Sequence, residues 1–125
     1  MVNRKQKIGK WGEGLAAAYL EERGYLILDQ NVYTLYGEID IIALQVIDSE
    51  KYLVFVEVKT RTTLDYGNPE DSITWQKKEH LVSAIGSYLQ DHEDLEDPWR
   101  VDVIAIQKLS AGNPPNIKHF ENVFS

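Results

Sequence analysis

Cysteine is absent from the 125-residue chain. That excludes disulfides, zinc–thiolate sites and thiol nucleophiles, and it agrees with a reducing compartment. No apolar run approaches the length needed to span a bilayer, and the early bases Arg4, Lys5, Lys7 and Lys10 are followed by no apolar signal core. A cytoplasmic protein with no membrane partner is the expectation. A glycine-rich phosphate loop, a dinucleotide fingerprint and a Ser-His-Asp order are also missing, which argues against NTPase, dehydrogenase and serine-hydrolase chemistry. His80, His92 and His119 are scattered without ligand spacing, which argues against zinc, and they are assigned no role. Positive charge is scarce as well: 13 bases face 20 acids, for a net charge of −7. A protein that neutralises phosphates ordinarily shows a basic total or a basic face.

The charges are nevertheless segregated. Five acids fall between Asp91 and Asp97, whereas the first ten residues hold four bases and no acid. Further basic pairs occur at Lys59 with Arg61 and at Lys77 with Lys78. For a phosphate ligand the local field matters more than the total. With 43% hydrophobic residues, and no repeat or linker, residues 1–125 read as a single domain.

Helical spacing of Ile8, Trp11, Leu15, Ala18 and Tyr19 marks a first helix to Arg23, with Gly24 at its C-terminal cap. On that helix Glu13 lies beside Gly9, Gly12, Ala16 and Leu20, a flank of mostly small residues. Segments Tyr25–Asp29, Asn31–Leu35, Glu38–Gln45 and Lys51–Thr60 read as successive antiparallel strands. Thr74 caps a second helix carrying Leu81, Val82, Ile85, Tyr88 and Leu89; a strand follows from Trp99 to Gln107, and an edge strand from Ile117 to Phe124. The fold class is therefore α/β, a mixed β-sheet flanked by helices.

Chemistry concentrates in the strand Lys51–Thr60. Period two sets Leu53, Phe55, Glu57 and Lys59 on one face and Tyr52, Val54, Val56 and Val58 on the other. A strand that begins apolar on both faces is central, yet this one ends with a carboxylate and an ammonium about 7 Å apart along one face. Such groups must be compensated. A lone E-x-K is ordinarily an ion pair where a strand meets solvent. Asp40, at the entrance to the neighbouring strand, changes that reading, because a hairpin loop near Val46–Glu50 sets Asp40 and Glu57 opposite each other. Glu38 shares the parity of Asp40 and stays open as a ligand. Two carboxylates suit magnesium, with manganese as its substitute, while Lys59 orients the metal-bound water or stabilises developing charge.

Asp40, sixteen intervening residues and then Glu57-Val58-Lys59 resemble the PD-(D/E)xK signature of the restriction-endonuclease-like superfamily, with Ile39 in place of proline. Longer matches are Gly12-Glu13 with Ala16–Leu20, Gly37-Glu38-Ile39-Asp40, Phe55–Lys59, Gly67 with Pro69-Glu70, Tyr88-Leu89, and Arg100 with Asp102-Val103. Together they resemble the YraN family of endonuclease-like bacterial proteins. The arrangement is also similar to archaeal Holliday-junction resolvases, which adds Glu13 on the first helix to the catalytic set.

The resemblance implies a restriction-endonuclease-like fold, a divalent metal held by Asp40 and Glu57, and a nucleic-acid partner, DNA first. The expected activity is metal-dependent phosphodiester hydrolysis, on branched or repair intermediates, by a homodimer because duplex cleavage requires two sites. Arg61, Lys77 and Lys78 are the substrate-binding candidates, and the bases from Arg4 to Lys10 are expected on the cleft side. Tyr36 departs from the pattern, standing where a base is common. Two other readings stay open: a binding module that keeps the fold without chemistry, and an adaptor using the acidic stretch Asp91–Asp97.

Overall fold

The computed structural model describes residues 3–62 and 74–124; Gly67, Pro69 and Glu70 lie outside the described residues. Helix α1 (Arg4–Glu22) starts four residues before the apolar spacing does, because Asn3 caps it. The Asn3 side chain accepts the Gln6 N–H at 2.9 Å while the Gln6 side chain accepts the Asn3 N–H at 3.1 Å, a reciprocal capping box. Gly24, at φ 86, closes the helix, with the Gly24 and Tyr25 N–H groups donating back to Glu21 and Leu20.

Three antiparallel strands follow: β1 (Leu26–Thr34), β2 (Gly37–Ile47) and β3 (Glu50–Arg61). The two segments expected on either side of Gln30 form the single strand β1. A register shift between Ile27 and Asp29 absorbs the irregularity, and Asn31 takes the left-handed φ of 51 without ending the strand. Helix α2 (Trp75–Asp91), capped by the Thr74 hydroxyl, leads to β4 (Trp99–Gln107), which runs parallel to β3. The closing strand β5 (Asn116–Phe120) is shorter than the expected edge strand and pairs antiparallel with β4. The sheet order is β1-β2-β3-β4-β5.

Among the described residues, each face of the sheet carries one helix. Ala16, Ala17 and Leu20 of α1 pack on Ile41, Ala43, Val54, Val56, Ile104 and Ile106. On the other face Ala84, Ile85 and Tyr88 of α2 pack on Ile39, Ile42, Leu53, Phe55 and Val101. The fold is thus α/β, an open mixed sheet flanked by helices, the arrangement expected of a restriction-endonuclease-like domain. Only part of the apolar stripe of α1 faces the sheet: Leu15 and Tyr19 are half-buried against the core, Trp11 and Ala18 are exposed, and the fully buried positions are Gly12, Ala16, Ala17 and Leu20. Small residues let the helix approach the sheet closely. A Cβ at Gly12 would overlap the Thr60 hydroxyl and lie 2.9 Å from Thr60 Cβ.

Among the described residues, one charged residue belongs to the core. Asp102 is fully buried and accepts from Arg100 Nε at 2.9 Å and from the Asn122 N–H at 2.9 Å, with His119 Nε2 at 2.8 Å. Burial alone raises a carboxyl, but the His119, Arg100 and Asn122 hydrogen bonds outweigh it and hold Asp102 below the ordinary range. His119, without a role in the sequence reading, thereby ties β5 to β4. No helix among the described residues is long and apolar enough to cross a membrane.

Candidate active site

Alternation along β3 carries Val54 and Val56 to the α1 face and Leu53 and Phe55 to the α2 face. Glu57 and Lys59 continue the latter row, where the strand passes beyond the helix-covered core and both side chains become half-buried. Lys59 Nζ lies 3.1 Å from Glu57 Oε1. The β2–β3 pairs run from Ile47↔Glu50 to Ile41↔Val56. Beyond them, the Asp40 Oδ2 atom accepts the Val58 N–H at 2.8 Å, bringing its carboxylate against β3.

Two further carboxylates reach Asp40, Glu13 from α1 and Glu38 from its own strand β2. Single ligand oxygens of Glu13, Glu38 and Asp40 all lie within 4.8 Å of one another. Glu13 comes from α1, whose close docking through Gly12 carries it to the sheet. Asn31 joins them: with its amide nitrogen turned inward, it donates to Glu13 Oε2 at 2.7 Å and to Glu38 Oε1 at 2.9 Å. The left-handed backbone at Asn31 is the local bend from which that side chain reaches both acids.

The electrostatics follow from this crowding. Burial, then the Glu57 carboxylate, push Asp40 up to about 8, against the opposing Val58 hydrogen bond. Burial and then Glu38 raise Glu13, while burial and then Glu57 raise Glu38; Lys10 opposes both shifts. Like charges so close favour a proton or a cation among them. The donor set is all carboxylate oxygen, which fits a hard divalent ion such as magnesium and not a soft one. These residues therefore fit a metal, with Asp40 at the centre of the group.

The expected site residues divide as follows. Glu13 and Asp40 meet directly, together with Glu38, which the sequence reading left open. Glu57 adjoins them electrostatically and faces Lys59. Lys77 lines a pocket of about 210 Å³ with Tyr36, Glu38, Glu57, Lys59 and His80. Lys78, one residue on, points elsewhere, with its Nζ 5.3 Å from the Trp75 ring centroid and 5.0 Å from that of Phe124. Arg61 lines a second groove, on the α1 side, with Arg4, Lys5 and Glu13. The sequence reading placed Asn31 only as the first residue of a strand segment, because a single Asn there carries no signal of its own.

The model of the Uncharacterised protein family UPF0102 matches residues 12–106. The chain is 40% identical to a UPF0102 protein of Dehalococcoides mccartyi, over 91% of this chain and 90% of that protein. It is 36% identical to one of Syntrophotalea carbinolica, over 99% and 96% respectively. A UPF0102 protein of Flavobacterium psychrophilum is 40% identical, over 94% and 92%. With matches that span nearly the whole of both partners, this chain belongs to the UPF0102 family, the YraN family.

Proposed function

We propose that this protein is a divalent-metal-dependent endonuclease that hydrolyses phosphodiester bonds in DNA, with branched or repair intermediates as its substrates. The observation that carries the proposal is the convergence of Glu13, Glu38 and Asp40 within 4.8 Å beside the Glu57–Lys59 pair. Asp40 and Glu57 would hold the ion, and Glu13 and Glu38 are close enough to complete or adjust the set. When bound, magnesium supplies Lewis-acid stabilisation of phosphoryl charge and acidifies water.

The chain's own residues do the rest. The Val58 N–H fixes one oxygen of Asp40, so the carboxylate is oriented before substrate arrives. Asn31 orients Glu13 and Glu38 in the same way. Lys59, steered by Glu57, brings a positive charge to the pocket where negative charge grows on the phosphoryl oxygens. Lys77 and Arg61 border the site on its two sides and would take flanking phosphates, which offsets the net charge of −7 locally. Cutting both strands of a duplex calls for two such sites, so a homodimer is part of the proposal.

The test is calorimetric titration with magnesium and manganese, run beside cleavage of labelled flap, junction, single-stranded and linear oligonucleotides at low salt. The parent should bind the ion and cut at least one substrate; Asp40→Ala and Glu57→Ala should do neither. Nucleic-acid binding with no ion uptake and no cleavage would replace the enzyme by a binding module of the same fold.

A further inference from the structure

The turn between β1 and β2 carries side chains that its backbone does not require. Thr34 pairs with Gly37, so Leu35 and Tyr36 alone form the turn, in positions that usually go to Asn, Asp or Gly. Gly37, at φ 137, absorbs the unusual backbone angle. The Thr34 hydroxyl braces the loop, donating to the Gly37 carbonyl at 2.8 Å and accepting the Tyr36 N–H at 3.1 Å. The tip is therefore held in shape, and its large residues point outward: Leu35 is 97% exposed, Tyr33 78% and Tyr36 51%. A single exposed leucine is ordinary, but three such side chains on one braced tip mark a contact surface.

What stands beside the tip identifies its partner. Tyr36 and Gly37 line the same pocket as Glu57, Lys59 and Lys77. Tyr33 is the cross-strand neighbour of Glu38, a member of the carboxylate group. Aromatic faces beside lysines match a nucleic-acid strand, whose bases stack on the rings while its phosphates meet the ammonium groups. A continuous duplex hides the faces of its bases; only unpaired or splayed bases offer them.

We propose that Tyr33, Leu35 and Tyr36 form a base-contacting tip that stacks on unpaired bases of the strand whose phosphate lies at the Asp40–Glu57 site. The ligand class is thus a nucleic acid with unpaired bases next to the scissile phosphate. The inference rests on the nuclease reading above for the identity of that site. A purely apolar partner would account for the tip but not for the two lysines behind it.

The experiment measures binding without metal at low salt, using a single-stranded, a gapped and a fully paired oligonucleotide of one sequence, with 2-aminopurine beside the target phosphate. The parent should prefer the unpaired ligands, and 2-aminopurine emission should change on binding. Tyr36→Ala should weaken the unpaired ligands by about 5–150-fold, the range that corresponds to one lost stacking contact, with Tyr36→Trp restoring them. Tyr33→Ala and Leu35→Ala should weaken them less, and Val46→Ala, an exposed residue at the far end of β2, should have no effect. Because all four side chains are exposed, folding is checked simply by matched melting curves. Equal losses on paired and unpaired ligands, or none, would overturn the proposal, as would a tip variant that merely turns a dimer into a monomer. Cleavage with magnesium is scored separately. A parent that cuts while its tip variants keep their full affinity sinks only this inference; a parent whose tip binds but that never cuts sinks only the nuclease reading.

Discussion

The Asp40 carboxylate stands in for a backbone acceptor: it takes the Val58 N–H at 2.8 Å where the β2–β3 pairs end at Ile41↔Val56. The strand changes course at the same place. Ile39 packs in the α2 core and Ile41 in the α1 core, although strict alternation would keep two residues of the same parity together. One side chain thereby joins two strands while a carboxylate oxygen of it lies within 4.8 Å of oxygens of Glu13 and Glu38. A residue under both demands cannot be optimal for stability, and its raised pKa is the measure of that.

Asp40→Asn should make the metal-free protein more stable at alkaline pH. Asp40 titrates near 3.8 when unfolded and at about 8 when folded, so between those values only the folded state keeps the proton. The folded state's advantage from this group therefore falls as pH rises through that window, and the full penalty is present above the folded value. With allowance for solvent screening, the variant should gain about 1–3 kcal/mol near pH ~9, and the gain should vanish toward pH ~4. Thermal melts of both proteins in chelator across that range decide it. Identical profiles would mean that Asp40 feels no such field.

Lys59→Ala should separate ion binding from chemistry. Removing the ammonium 3.1 Å from Glu57 takes away a competitor for the carboxylate, so magnesium affinity should hold or rise. The cleavage rate should fall, by about 100-fold if the charge stabilises the transition state. Calorimetry and single-turnover cleavage, at matched melting temperature, give both quantities. Loss of ion binding as complete as in Glu57→Ala would reverse the assigned roles.

The neighbouring lysines should behave differently under charge reversal. Lys77→Glu enters the pocket of Glu57 and Lys59 and should weaken DNA binding, reducing the slope of log K against log salt by about 1. Lys78→Glu acts over Trp75 and Phe124, in a separate groove, and should change that slope little. Equal slopes for the two variants would remove Lys77 from the phosphate path.

Gly12→Ala should destabilise the domain by about 1–3 kcal/mol through overpacking, because the added methyl meets Thr60 on the opposing strand. Thr60→Ala in the same chain should recover part of the loss. A double-mutant cycle in chemical denaturation reads the coupling. Additive losses would show that α1 docks without the close approach that brings Glu13 to the sheet.

The sequence by itself determined what local period and chemistry dictate. The apolar rows fixed two helices and most strands, and period two along Lys51–Thr60 set Glu57 and Lys59 on one face, as found in β3. Asp40 was legible because a carboxylate opened an apolar strand one hairpin away from Glu57. The start of α1 and the continuity of β1 were less so, since both depend on hydrogen bonds made by Asn3 and on a bulge that hydrophobic period does not encode.

Tertiary structure alone decided which acids meet. Glu13, Asn31, Glu38 and Asp40 come from one helix and two strands, and their convergence depends on the β1–β2 register and on the approach of Gly12 to Thr60. It also divided Lys77 from Lys78, because adjacent helical residues point about 100° apart and only the position of the helix on the sheet tells which one faces the site. His119 shows the same limit: nothing in its sequence surroundings marks it, yet the β4–β5 pairing brings it to the buried Asp102. Local patterns record what each element wants to bury, whereas a site of converging charges is a property of how the elements are docked.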